Sequence, residues 1–438
     1  MKRILAFGAG RVAKPCIQYL LQKEDYEVFL VDQLRENLDF TLSGKERGHP
    51  ITEDAYELAD SLMDEYRPDV VLCLLPAAMN RRIAEQCIQR SINMTAASYA
   101  KEEIRELSKE AEAKGITLLF EMGLDPGIDH MSAARTIKQV HDEKGKIESF
   151  WSVCGSLPDA PSNNNPFGYK LSWAPSSVVD SSKREARIMK DKRLIVIPDG
   201  ETFLHPSFVE IKGLGWFEEY ANGDSTPYIH AYDMPEVKDV YRGTLRYIGW
   251  SETIHAMLRL GLYESSKLDL SDMTYSELIS KLTGISASNA MEAAGAFLGL
   301  DSSSAVLLRL KWLGLFEDAP IPQTFETAKE VVADLYLKKL TYMPHEKDIV
   351  VMQHRIVVSY PEQGTGKKIV STMAVRGEIS GETAISRTTG LPLAIGTDCL
   401  LRGKITKKGV VIPTSAEIYD PVLAELENYG FKFDEYTE

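Results

Sequence analysis

Apolar residues occur in two kinds of run along this chain. Near the N-terminus they form short unbroken blocks: Ile4 to Phe7, the stretch "EVFLVD" ending at Asp32, and Val70 to Leu75 in "PDVVLCLLPAAMN". Unbroken apolar blocks suit strands buried on both faces, as in a parallel sheet. "INMTAASYA" and "ITLLFEMGLDPG" read as two more such strands, ending in Ser98 and Tyr99 and in Glu121 and Asp125. After Pro126 the pattern changes. "KIESFWSVCGSLP" alternates as a half-buried strand, the aromatic and Gly-rich stretches around "GWFEEY" and "VYRGTLRY" read as strands with turns, and "DIVVMQHRIVVSY" is a later strand. Between them the period becomes helical. Ile254, Met257, Leu258 and Leu262 recur at i, i+3, i+4 and i+8, Tyr275, Leu278, Ile279 and Leu282 share a face, and "TAKEVVADLYLKKL" continues the style. Aliphatic residues at this spacing form core.

These runs predict an α/β protein with an N-terminal Rossmann dinucleotide-binding domain over 1–125, joined by a C-terminal return over 396–438. A mixed α/β domain covers 126–250 and 341–395, with a helical subdomain over 251–340 inserted into it. "SRTTGLPLAIGTDCLLRGKI" reads as a helix leading back to the first domain, and "SAEIYDPVLAELENYGF" as a closing helix. "DSSKREARIMKDKR" reads as a charged, solvated segment. A chain of 438 residues accommodates two or three domains.

The net charge of −14 argues against nucleic-acid and membrane-surface partners, which require basic faces. It does not argue against a small anionic ligand, which responds to local charge. Five scattered cysteines without a CxxC pair argue against a disulfide framework and a metal site. No apolar run is long enough to span a membrane. "MKRILAFGAG" reads as a strand and turn rather than a signal peptide, so the expected setting is cytoplasmic.

The first strand runs into Gly8-Ala9-Gly10, with Arg11, Val12 and then Ala13 in the third position of a G-x-G-x-x-A fingerprint. Gly8 permits the tight turn, Gly10 lets a pyrophosphate approach the backbone, and Ala13 keeps helix and strand close. The following helix start offers free N–H groups to phosphates. Asp32 stands 24 residues after Gly8, where an acid bonds ribose hydroxyls and repels a 2′-phosphate. That favours NAD over NADP, with Arg35 close enough to soften the preference and NADP as the second option. Ligands of doubly wound sheets lie beyond the carboxyl ends of the strands. Leu75, Pro76, Ser98, Leu124, Asp125 and Pro126 are therefore candidate cofactor contacts alongside Gly8, Gly10, Arg11, Val12 and Asp32.

Taken in order, "GAGRVAKP", "LLPA", "TAASY", "EMGLDPGIDHM", "CGSLP…NNNPFGYKLSW" and "RGTLRY" resemble the glutamate-forming saccharopine dehydrogenases, also called saccharopine reductases, across essentially the whole chain. The resemblance implies oxidative, reversible cleavage of saccharopine to L-glutamate and 2-aminoadipate 6-semialdehyde with a nicotinamide cofactor, in lysine metabolism. It implies that the mixed α/β domain is the substrate and dimerisation domain and that the protein is a homodimer acting on a small amino-acid substrate. Substrate contacts implied are Ser98, Tyr99, Asp125, Cys154, Thr244 and Arg246. Arg242 alternates with Arg246 and so shares its side of a strand. A planar Arg fork matches a carboxylate. Asp125 and Tyr99 are the catalytic candidates: Asp125 to hold the substrate amine or a water, Tyr99 to donate to a carboxylate or line the nicotinamide site. Asp125 could equally cap the following helix. Asp129 reads as structural, and His130 as a satisfied, partly buried histidine.

The sequence departs from the family at three places. Gly223 in "ANGDS" stands where an arginine is usual, Ser156 where a glycine is, and Ser176 where fungal sequences carry arginine. Losing a charged anchor costs about 1.5–3 kcal/mol. The alternative enzyme reading is a dehydrogenase of a related secondary-amine adduct such as carboxynorspermidine. A non-catalytic NAD-binding regulator is the reading from another class.

Overall fold

The structure, a computed structural model, describes residues 1–172, 175–379 and 381–438. Trp173 of the "GYKLSW" motif and Ala174 lie outside the described residues. The chain divides into two compact units. One comprises 1–147, 358–367 and 373–436, and the other 148–357, 368–372 and 437–438.

The first unit is built on a parallel sheet. Its strands are β1 (Lys2–Phe7), β2 (Tyr26–Asp32), β3 (Gly48–Thr52), β4 (Val70–Cys73), β5 (Asn93–Ala96) and β6 (Thr117–Leu119). They lie in the order β3-β2-β1-β4-β5-β6, with the strand Gly409–Val411 parallel beyond β6. This is the doubly wound order, whose switch point falls between β1 and β4. The unbroken apolar runs give the strands their two buried faces: Ile4, Leu5, Ala6 and Phe7 are all fully buried. β4 ends at Cys73 rather than at the expected Leu75. Its last main-chain partner is Phe7 at the end of β1, whose carbonyl accepts from Leu74 N–H at 2.8 Å.

Helix α1 (Ala13–Gln22) follows β1 and packs against the helix Ala384–Leu401. That long helix returns to the first unit as its sequence suggested. It is seated by a Thr95–Thr397 hydroxyl pair at 2.8 Å and by Tyr26 Oη donating to Asp398 at 2.6 Å. The closing helix Ala416–Asn428 packs on it.

The second unit carries a mixed sheet. β7 (Lys146–Pro158) runs parallel to β12 (Asp239–Arg246), once β8 (Ala186–Lys190), β9 (Arg193–Ile197), β10 (Ser207–Ile211) and β11 (Gly215–Ala221) have been counted between them. β11 pairs antiparallel with β12, and β10 with β11. β13 (Asp348–Tyr360) lies on the other side of β7. The charged segment is mostly exposed, as expected, and it also enters the β8–β9 hairpin at Ala186. Its flanking lysines and arginines hide the "ARIMK" and "RLIVI" strands from a reading of polarity alone.

The expected helical region is present as Trp250–Arg259, Tyr275–Thr283, Ala290–Leu298, Ala305–Leu313 and Ala328–Lys339. Capping boxes start two of these helices, at Thr274 with Glu277 and at Thr327 with Glu330. Ile254, Met257, Leu278, Ile279 and Leu310 pack into one apolar core with Trp250 and Tyr336.

Candidate active site

The loops after β1, β2, β4, β5 and β6 each carry a residue expected at the site. The β1–α1 turn holds Gly8, Gly10, Arg11 and Val12. Asp32 ends β2, Leu75 and Pro76 follow β4, Ser98 and Tyr99 follow β5, and Leu124, Asp125 and Pro126 follow β6. β1 and β6 are three strand spacings apart, about 14 Å, a span an extended dinucleotide can cross.

The glycine turn fits a dinucleotide. Gly8 has φ of 97° and donates its N–H to Val31 O at 2.9 Å; a Cβ there would meet the Leu74 backbone at 3.2 Å. Gly10 is exposed, and a Cβ built on it would have nothing within 4 Å, so the space beside it is open to a phosphate. Asp32 Oδ2 accepts the Ala9 N–H at 2.8 Å, while Oδ1 accepts from Leu34 N–H at 2.9 Å and from Asn37 Nδ2 at 3.2 Å. The carboxylate is thus tied to the turn it serves. Arg35 Nε is occupied by Asp39 at 2.9 Å.

At the other end, Tyr99 Oη donates to Asp125 Oδ1 at 3.2 Å. Tyr99 is 39% exposed and Asp125 half-buried, so both can meet a ligand. Ser98 accepts a short hydrogen bond from Nδ2 of the buried Asn80, a residue that sequence reasoning missed. Nothing in the helical pattern of Asn80–Arg90 distinguishes that side chain from a capping polar residue.

Beneath this pair lies a buried charge cluster. Glu121 sits at φ of 61° with its carboxylate in the interior. Oε1 accepts from Ala100 N–H at 2.9 Å and lies 3.5 Å from Arg105, and Oε2 is 2.6 Å from His130 Nε2. Burial pushes the Glu121 carboxyl up, but the His130 and Ala100 hydrogen bonds and nearby positive charge hold it below its usual range. Burial pushes the Asp129 carboxyl up, and its Oδ1 accepts from Gly127 N–H at 2.6 Å. For His130 burial favours the neutral ring, yet the Asp129 and Glu121 charges outweigh it and raise its pKa. His130 is therefore fully buried and paired. Its partner precedes it by nine residues in the loop, out of reach of a helix-periodicity argument.

In the second unit, Thr244 stands opposite Cys154 across β12 and β7, and Arg242 opposite Ser152. Arg242, Thr244 and Arg246 share one face of β12, as their spacing predicts. Their surroundings differ. Arg242 is buried with its guanidinium 4.3 Å from the Tyr228 ring centre. Arg246 is half-buried over the Tyr169 and Trp250 rings at 4.9 and 5.5 Å. Its cross-strand neighbour Glu218 is engaged by the N–H groups of Gly249 and Ser251, at 2.9 and 2.5 Å. Arg246 Nε has no hydrogen-bond partner among the described residues, and no ion pair there joins Arg246 to a carboxylate. A cation held over aromatic faces without a counter-charge is suited to a ligand carboxylate. Cys154 is buried among these residues. Gly223 has φ of 65° with open space around it, so the place of the missing arginine is a left-handed turn after β11.

The sheet order, glycine turn and acid after β2 define a dinucleotide-binding α/β protein with a second, mixed-sheet unit. Two family models match it: "Saccharopine dehydrogenase NADP binding domain" over residues 4–119 and "Saccharopine dehydrogenase C-terminal domain" over 123–431. The chain belongs to the saccharopine dehydrogenase family. It is 30% identical over 454 residues to the saccharopine dehydrogenase [NADP(+), L-glutamate-forming] of Saccharomyces cerevisiae, covering 100% of this chain and 99% of that protein. The solved apo saccharopine dehydrogenase (L-Glu forming) from that yeast superposes with a TM-score of 0.91 at 30% identity, covering all of both chains. The Bos taurus alpha-aminoadipic semialdehyde synthase, mitochondrial, is 32% identical over 445 residues, which is 99% of this chain and 47% of that protein. The chain thus spans about half the length of the animal proteins it matches. The expected preference for NAD finds no support in these names, which specify NADP for both the domain and the yeast relative. No described helix is long and apolar enough to cross a membrane.

Proposed function

We propose that this chain is a nicotinamide-dependent oxidoreductase that cleaves saccharopine oxidatively, and reversibly, to L-glutamate and 2-aminoadipate 6-semialdehyde, in lysine metabolism. The observation that carries the reading is its likeness, along the full length of both chains, to a yeast protein named for glutamate-forming saccharopine oxidation.

A nicotinamide held at the glycine turn would supply the hydride acceptor, and the substrate carbon to be oxidised is the methylene beside the secondary amine. Water then adds to the resulting imine, and the carbon–nitrogen bond breaks to give amine and aldehyde. In this chain the Asp125 carboxylate, oriented by Tyr99 Oη, holds the substrate amine or the incoming water. Arg246 takes a substrate carboxylate: one guanidinium nitrogen donates to Leu245 O at 2.8 Å, and no carboxylate among the described residues competes for the group. Cys154 has no nucleophilic role that this reaction requires, and its buried position fits packing.

The finer choice of cofactor pits two observations against each other. The yeast relative is named for NADP, and Arg35 is the nearby cation a 2′-phosphate could recruit. Asp32 opposes that phosphate and suits the bare ribose of NAD. The same reading includes a homodimer and a cytoplasmic setting.

The test is the absorbance of reduced nicotinamide with saccharopine and either NAD or NADP. Turnover with at least one cofactor is expected; none with either would falsify the reading. Gly223 in place of an anchoring arginine favours a second reading, oxidation of a secondary amine with fewer carboxylates, such as carboxynorspermidine. Faster turnover of that compound than of saccharopine would select it.

A further inference from the structure

We propose that the buried carboxylate of Glu121 is a positioning residue, setting the Tyr99–Asp125 pair by holding together the two loops that carry it. The inference deepens the proposed function and rests on it, because it assigns the pair a role in turnover.

Tyr99 and Asp125 stand at the solvent edge, outside the hydrophobic core, so their placement depends on the backbone beneath them. Glu121 clamps that backbone on both sides. One carboxylate oxygen accepts the N–H of Ala100, the residue after Tyr99. The other meets His130, in the first turn of the helix that leaves the Asp125 loop. The Glu121 main chain adds a third link, its N–H donating to Ser98 O at 3.1 Å. The loop between is itself closed, with Gly123 N–H donating to Pro126 O at 2.9 Å and Gly127 N–H to Asp129 Oδ1 at 2.6 Å. It therefore moves as a body with its anchors. Glu121 also has a left-handed backbone, φ of 61°, although it is neither glycine nor asparagine. Such a conformation persists where surrounding contacts over-determine it, and such positions cluster at functional sites. Glu121 itself is 2% exposed and does not reach the ligand space.

The test uses the full chain, with tyrosines labelled with carbon-13 at Cζ and the Tyr99 resonance assigned by its loss in Tyr99→Phe. If Glu121 positions the pair, Glu121→Ala moves this resonance to the place it takes in Asp125→Ala. Glu121→Gln keeps an acceptor for Ala100 and offers an N–H to His130 in its neutral form, and leaves the resonance near its wild-type place. In the same proteins, Glu121→Ala lowers kcat on saccharopine by about tenfold or more, the scale of a misplaced catalytic group. Introduced on top of Asp125→Ala, it costs less than about twofold, because coupled residues are non-additive. A Tyr99 resonance unmoved in Glu121→Ala, or an equal loss with and without Asp125, overturns the proposal. If Glu121→Ala does not fold, Glu121→Asp replaces it in both arms, since the shorter side chain cannot span Ala100 and His130 together. Absence of saccharopine turnover in the wild type would strike the functional reading, while the resonance still decides whether Glu121 sets the pair.

Discussion

Asp32 serves two purposes with one carboxylate. It accepts the Ala9 N–H and so fixes the glycine turn, and in the proposed reading its negative charge faces the ribose 2′ position. A 2′-phosphate about 5 Å from that charge is opposed by roughly 1–3 kcal/mol per unit of phosphate charge at effective dielectrics of about 80 to 20. Asp32→Ser keeps an oxygen near the turn and removes the charge. The ratio of kcat/KM for NADP to that for NAD is therefore expected to rise at least about tenfold. An unchanged ratio would show that Asp32 takes no part in selecting the cofactor. Arg246 poses the matching question for the substrate. Its guanidinium lies over Tyr169 and Trp250 with no carboxylate partner among the described residues, so the charge it offers is uncompensated. Arg246→Gln is expected to raise the KM for saccharopine by roughly ten- to a hundredfold, equivalent to about 1.5–3 kcal/mol for a charged hydrogen bond, while the dissociation constant of the nicotinamide cofactor stays the same.

Two glycines on the same sheet edge separate the demands of folding from those of binding. Gly127 closes the turn before the helix Ile128–Asp142 at φ of 147°, and a Cβ there would lie 2.0 Å from Gly123 O and 2.3 Å from Gly123 N. Both obstacles are main chain and cannot rotate away. Gly127→Ala should cost about 3 kcal/mol or more, seen as a lower midpoint in urea unfolding. Gly10→Ala meets nothing within 4 Å. It should leave that midpoint unchanged and weaken cofactor binding by about tenfold or more, because the methyl fills the space left for a phosphate. The sequence made the strands and the glycine fingerprint legible, since unbroken apolar blocks and a G-x-G spacing are local patterns. It also placed Asp125 in the loop that follows β6. It could not show that Gly127 closes against Gly123, because that depends on how the turn folds back on itself. The Glu121–His130 pair was hidden for a related reason: Glu121 leaves its strand through a left-handed backbone, so neither period 2 nor period 3.6 predicts where its side chain goes. The β8–β9 hairpin was obscured by the charges around its apolar positions.

For the whole molecule, stability is a sum in which one buried cluster can be isolated by its pH dependence. Glu121 titrates below its ordinary 4.5 in the folded chain, so its contribution is present above that value and lost as pH falls through the depressed one. His130 titrates above its ordinary 6.5, so its contribution is complete below 6.5 and lost as pH rises through the elevated one. Asp129, raised by burial, works the other way: ionising it costs stability as pH rises from its ordinary 3.8 toward the raised value, and this offsets part of the gain. The cluster therefore stabilises most between about pH 4.5 and 6.5. A second trend overlies it. The chain carries −14 at pH 7, so self-repulsion weakens on mild acidification and the absolute melting temperature rises for unrelated reasons. Subtracting the melting curve of Glu121→Gln removes that shared trend, since the substitution changes only one charge. The wild type should exceed the variant most near pH 5 to 6, by up to about 3 kcal/mol. The excess should shrink above neutrality as His130 loses its proton, and again in acid as Glu121 gains one. A difference that stays constant from pH 5 to 9 would mean His130 is not held charged by Glu121, and the buried pair would be no more than a neutral hydrogen bond.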